Sequence, residues 1–422
     1  MKEQVYHQEG RSAALPADLK LENRQKVLEA FRYGGEHTVG EVSAQTGISR
    51  LTVMRAVQFF VSKGTLRSMG LGESSNMGGK KPERFAFADQ RLMLCVALWP
   101  MSTRLSLHTI TGEPVAQADY ASNLHRPLAA VFDDLKIHIG RFLSGQNRSL
   151  DCLYGVMLST AGTVDSETGL LRFSVHSPEW GEQIPVGEYL KEIVGQTPVV
   201  LVENAGKTAG RAVLNGSDSH REGRVLTVFT AWGISACLIE DGRILNGPLS
   251  LVGEIGHMSI DCRDDELCAC GRRGCLERLV SRERMIRLLE EKPAPEGSAL
   301  AGAGQSLELE QVFAAAQAGD ARAMELTDLL ARRYADALHN VAVVYNPDSV
   351  IFQGTVGHAC EYFDQRLRTY MKDFRYFPEG CAFRVGYDPT DLLTLNASGG
   401  WHMLNEHYFR DPQLYMDDYN VR

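Results

Sequence analysis

The chain has 422 residues, of which 44% are hydrophobic and 23% are charged, and its formal net charge is −9. This length and composition predict a soluble globular protein of two or three domains, and the negative charge excludes a protein that coats nucleic acid along its whole length. The first 90 residues nevertheless carry about three net positive charges and the rest about twelve net negative ones. That asymmetry suits a DNA-contacting module joined to an acidic body.

The sequence shows no pattern typical of a targeting signal. No secretory signal starts the chain, and its apolar runs are too short to cross a bilayer. We therefore expect a cytoplasmic protein without membrane insertion, whose cysteines stay reduced.

The first elements in chain order are a tail and a helix. Residues 1–19 show no apolar periodicity and are predicted to be a mobile tail. From Asn23, apolar residues recur at helical spacing until Gly34-Gly35 ends the helix. The residues on its apolar face are Val27, Leu28 and Phe31.

Two further helices with a tight connection follow. Thr38 can cap a short second helix, and Ser49 can cap a third that runs from Arg50 to Lys63. The turn between them contains Gly47, and two short helices joined in this way form a helix-turn-helix. We predict a winged helix-turn-helix domain at residues 20–90.

The predicted DNA contacts lie on the third helix and on the segment after it. The third helix of this motif enters the major groove, where Arg can bind guanine and Thr can contact phosphate or a thymine methyl group. The glycine-rich segment that ends at Phe87 is predicted to be a wing with basic residues for phosphate or minor-groove contact. The candidate DNA-binding residues are Ser49, Arg50, Thr52, Arg55, Lys80, Lys81 and Arg84. A small helical module that binds protein is the alternative.

After residue 90, strands and helices alternate, which predicts an α/β body. Strands are predicted at Leu92–Leu98, Arg104–Thr109, Leu153–Leu158, Val199–Val202, Val225–Phe229, Ile234–Ile239 and Ser349–Phe352, and helices at 126–144, 278–291, 308–317 and 321–344. The strands Val225–Phe229 and Ile234–Ile239 are expected to pair, and Asp241-Gly242 is expected to make their hairpin turn. Residues 292–305 are predicted to be a surface insertion, and residues 402–422 a C-terminal tail without strong periodicity.

One short segment carries a metal-binding pattern. His257, Cys268, Cys270 and Cys275 lie within nineteen residues, and one imidazole with three thiolates fills a closed, structural Zn²⁺ site. Cys262 is left out, because three better-spaced thiols follow it. The alternative is a set of buried free cysteines that pack as small hydrophobic residues.

The same segment carries a resemblance to a known family. GEIGH at 253–257 followed by CACGRRGCLE at 268–277 resembles the signature of the ROK family (repressors, open reading frames and kinases). TGISRLTVM at 46–54 and GGKKP at 78–82 are similar to the head of its repressors. The resemblance implies a winged head and an actin-like (ribonuclease H-like) body of two lobes, at 91–200 and 201–401, with the zinc loop in the second.

The resemblance also implies that catalysis is absent. The family's kinases need a glycine-rich phosphate turn where this chain has Trp99-Pro100, and an aspartate base where it has Ala205. Two later glycine-rich segments are reduced to Trp232-Gly233-Ile234-Ser235 and Gly354-Thr355. We therefore expect no catalytic residue, no ATP binding and no enzyme activity.

The positions of the family's sugar contacts match the family better than the catalytic positions do. The residues at those positions are Gly162, His176, Asn204, Glu254, His257 and Glu277, with Trp180 as the family's aromatic residue. His176 replaces the usual asparagine, and Lys207 adds a cation that could suit an acidic ligand. A relic pocket without a ligand is the alternative, and Glu277 could be an ordinary helix-start carboxylate.

These observations predict a sugar-responsive transcriptional regulator, in particular a repressor of carbohydrate genes. Its expected partners are a double-stranded DNA operator and a sugar or sugar-phosphate effector. A ligand between the lobes would change their angle, and a homodimer or dimer of dimers would re-space its recognition helices. Activation, a kinase with a DNA-binding head, and control by a protein partner remain alternatives.

Overall fold

The computed structural model describes residues 16–72, 81–216, 223–264, 266–373 and 383–417. The chain divides into two compact units. The first consists of residues 1–93, 108–115 and 404–422, and the second of residues 94–107 and 116–403. Most of the predicted mobile tail and the predicted wing tip at 73–80 lie outside the described residues.

The first unit has three helices and a small antiparallel sheet. Its elements are α1 (Pro16–Glu29), β1 (Glu36–Thr38), α2 (Val39–Thr46), α3 (Arg50–Ser62), β2 (Leu66–Leu71) and β3 (Glu83–Phe87), and the strand order is β1-β3-β2. This is the predicted winged helix-turn-helix arrangement. The first helix begins at Pro16 rather than at Asn23, so it includes the end of the predicted tail.

Local side-chain chemistry sets the two helices of the motif. The Thr38 hydroxyl accepts a hydrogen bond from the Glu41 backbone N–H, and the Glu41 carboxylate accepts one from the Thr38 N–H, which is a capping box. Gly47 ends α2 with a φ of 70°, a left-handed conformation that glycine adopts without strain. Ser49 caps α3 by accepting from the Thr52 N–H.

The C-terminal segment packs in this first unit, which the sequence did not predict. Arg24 of α1 donates to the Tyr415 carbonyl oxygen at 2.6 Å and to the Asp417 carboxylate at 2.7 Å. The Tyr415 ring meets the Phe60 ring of α3 edge-on, with centroids 6.2 Å apart. Residues 404–417 are thus part of the same compact unit as the predicted DNA-binding head.

A five-stranded sheet opens the α/β body. Its strands are β4 (Leu92–Leu98), β5 (Ser102–Thr109), β6 (Pro114–Ala121), β7 (Leu153–Thr160) and β10 (Val199–Asn204), in the order β10-β7-β4-β5-β6. All seven residues of β4 are buried, because a central strand covered on both faces needs a continuous apolar run. A separate hairpin consists of β8 (Thr163–Asp165) and β9 (Leu170–Phe173).

A second five-stranded sheet follows. Its strands are β11 (Arg224–Thr230), β12 (Ile234–Glu240), β13 (Arg243–Ile244), β14 (Ser349–Gly354) and β15 (Arg384–Asp388), in the order β13-β12-β11-β14-β15. The predicted pairing of β11 with β12 is present, but residues 231–233 connect them. Asp241-Gly242, both with positive φ, instead turns the chain from β12 to β13, so the predicted placement of this turn is wrong.

The body helices cover these sheets. They are α4 (Leu128–Gly145), α5 (Val186–Val194), α6 (Ala205–Gly216), α7 (Leu276–Leu279), α8 (Arg282–Glu291), α9 (Leu309–Gln317), α10 (Ala321–Tyr345), α11 (Glu361–Lys372) and α12 (Leu392–Arg410). The helix predicted at 278–291 is two helices, because Ser281 starts a new one by accepting from the Arg284 N–H. The predicted insertion at 292–305 is largely exposed, with Leu300 buried.

The largest core cluster lies between α10 and the second sheet. Tyr334 of α10 meets Phe352 of β14 edge-on at 5.5 Å, and Phe363 of α11 packs against both rings. Asn346, in a left-handed conformation, ends α10 before Pro347. The α/β class is therefore confirmed.

The predicted end of the body at Trp401 falls inside α12, so the first part of the predicted tail is helical. The proposed division of the body at residue 200 stays a prediction, since residues 116–403 belong to one compact unit. Within the described ranges, no helix combines the length and apolar character that crossing a bilayer requires.

Candidate functional site

The structure brings the six predicted sugar-contact residues into one pocket of the body. Gly162, His176, Asn204, Glu254, His257 and Glu277 all line it. The pocket lies where β10, β11 and β12 meet the segments that follow β7 and β9. Its other walls are mostly apolar, with Trp99, Phe173, Phe229, Trp232 and Ile234.

Asn204 joins two parts of the pocket wall. Its Nδ2 donates to the Gly162 carbonyl oxygen at 2.8 Å, while its Oδ1 accepts from the Gly206 N–H at 2.8 Å. A side chain at Gly162, where φ is 118°, would place its Cβ 2.5 Å from the Phe173 carbonyl oxygen. The close turn at Gly162 therefore requires glycine, and Asn204 keeps one N–H for a ligand.

Glu277 and His176 form a second polar wall. One carboxylate oxygen of Glu277 accepts from the Ile234 N–H at 2.8 Å. A Cβ at Gly233 would lie 2.7 Å from that oxygen and 3.7 Å from His176 Nε2, so both side chains border Gly233. Burial lowers the pKa of His176, and the Glu277 carboxylate opposes this in part. A neutral imidazole beside a carboxylate can accept or bridge sugar hydroxyl groups.

The Glu254 carboxyl group is partly removed from solvent. Burial raises its pKa, while His257 and Lys207 oppose the rise. Lys207 itself is only 4% exposed, and its Nζ donates to Asn246 Oδ1 at 3.1 Å. Lys207 does not line the pocket, so it acts on the site only as a nearby charge.

Four possible metal ligands lie together beside the pocket. The ligand atoms of His257, Cys268, Cys270 and Cys275 are all within 4.8 Å of one another. In a tetrahedral site with zinc–sulfur bonds of about 2.3 Å and a zinc–nitrogen bond of about 2.0 Å, neighbouring ligand atoms are roughly 3.5–3.8 Å apart. The Cys270 and Cys275 sulfurs are 3.7 Å apart, and the Cys268 sulfur is 3.5 Å from His257 Nδ1. The donor set and its spacing fit a metal ion.

Without a cation, the surroundings of Cys275 favour its neutral thiol. Burial raises the pKa of Cys275 to about 12, and the neighbouring sulfurs of Cys270 and Cys268 add to the rise. A bound cation would reverse this effect by stabilising the thiolates. Cys262 is exposed and stands outside the cluster.

The loop that carries the cluster also positions the pocket carboxylates. Glu254 precedes the 3-10 turn Ile255–His257, and Glu277 follows Cys275 in the first turn of α7. A side chain at Gly274 would lie 2.1 Å from the Asp261 carbonyl oxygen, so only glycine fits this crossing. Glu266 ties the loop to Arg278 and to Arg287 of α8.

The positions that a ROK kinase would use for phosphate and proton transfer are apolar. Trp99 follows β4, is buried, and meets the Phe229 ring edge-on at 6.0 Å. Ala205, where the family resemblance places the kinase base, is 5% exposed and packs in the same cluster. A methyl group cannot accept a proton, so Ala205 itself cannot act as a base.

The described candidates in the head are mostly accessible. Ser49, Arg50, Arg55 and Lys81 are exposed. Thr52 is half-buried, and its hydroxyl lies 2.9 Å from the Ser49 hydroxyl. Arg84 donates to the Glu36 carbonyl oxygen at 3.1 Å and faces Glu41 at 3.9 Å, so it also braces β1 and α2. Lys80 lies outside the described residues.

Comparison with known proteins decides the family. A model of the ROK family matches residues 104–382. The chain belongs to the ROK family. This confirms the resemblance that the zinc-loop and head motifs indicated.

The relatives of this ROK chain are of two kinds. A glucokinase of Halalkalibacterium halodurans is 25% identical over 305 residues, which are 71% of this chain and 90% of the glucokinase. The DNA-binding transcriptional repressor Mlc of Escherichia coli is 26% identical over 270 residues, 61% of this chain and 64% of Mlc. Both kinases and regulators are therefore similar to this chain.

A solved structure supports the fold of the whole chain. The crystal structure of a ROK family transcriptional regulator, a homologue of the E. coli Mlc protein, has a TM-score of 0.76 at 18% identity and covers 94% of this chain and 98% of that one. The predicted combination of a winged head and a ROK body is thereby confirmed as a fold.

Sequence reasoning missed the apolar half of the pocket. Phe173, Phe229 and Trp232 line it, but each reads as an ordinary strand-end or turn residue in the sequence. Trp232 stands inside the reduced glycine-rich segment, which was the one available signal. Trp180 does not line the pocket; its indole N–H donates to the Arg126 carbonyl oxygen at 2.8 Å.

Proposed function

We propose that this ROK protein is a sugar-responsive DNA-binding transcriptional regulator that represses genes of carbohydrate uptake or catabolism. The observation that carries the proposal is a pocket with polar groups suited to a sugar but with apolar residues at the positions that the family resemblance assigns to phosphate and proton transfer. Glu254 and Glu277 face the pocket, while Ala205 occupies the position where a kinase has its proton acceptor.

The polar side of the pocket is suited to hydroxyl groups. Among the described residues, none donates a hydrogen bond to the Glu254 carboxylate, and the His176 ring has no hydrogen-bond partner. A ligand that enters the pocket displaces water from these groups and must replace its hydrogen bonds. A sugar, whose hydroxyl groups donate and accept, would supply those partners.

We also propose that the metal is Zn²⁺ and that its role is structural. The three cysteines and His257 would supply four ligands, which leaves no open position for an activated water. When bound, the ion contributes free energy of folding and holds the loop on which Glu254 and Glu277 lie.

The head would bind operator DNA through α3. Arg50 and Arg55 are exposed on this helix, and among the described residues neither has an intramolecular hydrogen-bond acceptor. A symmetric dimer would read two half-sites about one helical turn apart. The similarity to the repressor Mlc supports this function.

A sugar kinase that also binds DNA is the second candidate, since a glucokinase is similar over 71% of this chain. An assay of ATP consumption with a panel of hexoses and pentoses separates the two. We expect no sugar-dependent turnover. ATP consumption that depends on one of the sugars would refute the proposal that the regulator lacks enzyme activity.

The main test measures DNA binding of the full chain by fluorescence anisotropy. The DNA fragments come from the regions upstream of its own gene and of neighbouring transport genes, with and without each sugar and sugar phosphate of a panel. We expect specific binding to one fragment that one ligand weakens. Absence of specific binding would contradict the proposal, and binding that no small molecule changes would favour a protein effector.

The same assay tests the recognition helix. Arg50→Ala should weaken specific binding by about 1–3 kcal/mol if Arg50 contacts a base. The matched control is Arg243→Ala, which removes an equally exposed arginine from β13 of the body. Equal affinities of the two variants would exclude base contact by Arg50.

A further inference from the structure

The proposed sugar pocket opens into a second, larger cavity of the body. Six residues line both cavities: Trp99, Ala231, Trp232, Gly233, Ile234 and Glu277. The second cavity extends between α8, α9, the end of β14 and the start of α12. A ligand whose sugar ring lies against Glu254 and His257 could therefore continue past the two tryptophans.

The described lining of the pocket offers no strongly cationic side chain to a phosphate. Among the described residues that line it, there is no lysine and no arginine, but there are two carboxylates, Glu254 and Glu277. Phosphate esters are bound in proteins mainly by arginine, lysine and backbone N–H groups. The buried Lys207 does not line the pocket, donates to Asn246 and interacts electrostatically with Glu203 and Glu254. The lining therefore favours an uncharged ligand over a phosphorylated one.

The second cavity also disfavours a polyphosphate. Its lining contains Glu277, Glu283, Glu308, Glu310 and Asp391. Arg282 is the single arginine among the described lining residues. Its guanidinium donates to the Leu307 carbonyl oxygen and faces Glu308 at 3.7 Å and Glu283 at 3.9 Å. Its charge is thus balanced, and the cavity as a whole repels a nucleotide triphosphate.

The passage between the cavities is apolar and aromatic. Trp99 and Phe229 form one side of it, in a cluster with Ala205. Trp232 forms part of the other side and is 57% exposed. An exposed indole at the mouth of a binding pocket leaves apolar surface that a ligand can cover.

From this arrangement we infer that the effector is a glycoside: a sugar linked to an uncharged, apolar substituent, such as an alkyl or aryl group. The inference rests on the proposed function of the pocket. The sugar ring lies at the polar wall, and the substituent lies against Trp99 and Trp232 and points into the second cavity. Free sugars bind more weakly, because they leave the aromatic passage uncovered.

Titration calorimetry of the full, zinc-loaded chain tests this inference with matched ligands. The probes are glucose, galactose, xylose and N-acetylglucosamine, each as the free sugar, the methyl glycoside and the 4-nitrophenyl glycoside in both anomeric forms, together with the available sugar 6-phosphates. For the sugar that binds, we expect at least tenfold tighter binding of the aryl glycoside, or about 1.4 kcal/mol. We also expect weaker binding of the phosphate ester.

The variant Trp232→Ala tests whether this indole causes the tighter binding of the aryl glycoside. Since Trp232 is exposed, the variant should fold. Because Trp232 also lines the sugar pocket, the readout is the ratio of the aryl-glycoside affinity to the free-sugar affinity within the variant, and this ratio should fall close to one. Leu249→Ala, which removes an equally exposed apolar side chain that lines neither cavity, should keep the aryl advantage.

The outcomes distinguish the inference from the proposed function. A free sugar that binds as tightly as its aryl glycoside, or a phosphate ester that binds more tightly, would overturn the glycoside while leaving a sugar sensor in place. An unchanged aryl advantage in Trp232→Ala would also overturn it. If no ligand of the panel binds, both the glycoside inference and the proposed small-molecule effector are refuted.

Discussion

His176 lies beside Glu277 in the pocket, and its protonation state decides what this wall offers a ligand. Burial lowers its pKa below the ordinary value near 6.5, so the imidazole is neutral at pH 7. A proton would pair the ring with Glu277 and withdraw both groups from sugar hydroxyls. Affinity for the best ligand of the panel should therefore be constant above pH 7. Below the lowered pKa it should fall by up to about tenfold for each pH unit.

Calorimetry at several pH values checks this dependence, with the zinc content measured at each one. His176→Asn, which restores the family's usual residue, should bind without the acid step. An identical pH profile in this variant would assign the step to another group, such as Glu254.

A substitution at Cys268 tests the metal cluster by removing one ligand atom. Cys268→Ala should lower the zinc content from about one ion per chain to near zero, because three ligands hold zinc less tightly than four. The melting temperature should fall as well, by about 2–4 °C for each kcal/mol lost. Elemental analysis and thermal melting measure both effects.

Cys262→Ala is the matched control, since Cys262 is exposed and outside the cluster. It should keep both the metal and the melting temperature. The cluster would be refuted as a metal site if the two variants contained equal amounts of zinc.

The family resemblance was enough to predict which polar residues share the pocket. Glu254, His257 and Glu277 are close in sequence to the cysteines, so a motif can find them. Phe229 belongs to β11 of the second sheet and Trp99 follows β4 of the first, so their contact depends on how those sheets pack. Nothing local in the sequence encodes that contact.

At the scale of elements, the head depends on a few helix caps. Thr38 and Glu41 exchange hydrogen bonds at the start of α2. Thr38→Ala would leave the Glu41 N–H without its acceptor and should destabilise the head by about 1 kcal/mol. Thr38→Ser keeps the hydroxyl group and should melt close to the parent chain.

Thermal melting followed by hydrogen exchange of α2 and α3 measures this effect. Faster exchange in Thr38→Ala but not in Thr38→Ser would establish the cap. Equal exchange in both variants would show that packing of α2 alone holds the helix.

Cap residues are also what made these helices predictable, because Thr38, Ser49 and Gly47 act on neighbours within four residues. Other element boundaries were harder. Ser281 splits one apolar pattern into α7 and α8, although the pattern itself continues. The Asp241-Gly242 signal identified a turn correctly but not the strand pair that it joins.

At the scale of the molecule, the first unit includes the C-terminal segment. Lys20 and Arg24 of α1 reach Asp417, and Lys63 donates to its carbonyl oxygen. A chain that ends at Arg410 would leave the buried Arg24 without these acceptors and expose Phe60. We expect faster proteolysis and hydrogen exchange in α1 and α3, and weaker DNA binding.

A chain that ends at Asp417 is the control, because it keeps every one of these contacts. Ligand binding in the pocket should be the same in both shortened chains, since all pocket residues belong to the second unit. Equal protection of α1 in the two chains would show that the segment is not needed by the head.

The sequence could not predict this packing, because Arg24 and Tyr415 are 391 positions apart. Asp417 follows a stretch without helical periodicity, and the charge of a single aspartate does not identify its partner. Only the fold of the intervening body brings these residues together.

This long-range packing has a consequence for biosynthesis. At about 5–20 residues per second, roughly 20–80 s separate the emergence of α1 from that of its last packing partners. A nascent chain carries an incomplete DNA-binding head throughout that interval. By the time the head is complete, the ribosome has already made every residue of the pocket. Under the proposed function, a complete operator-binding head would therefore always be accompanied by the effector site that releases it.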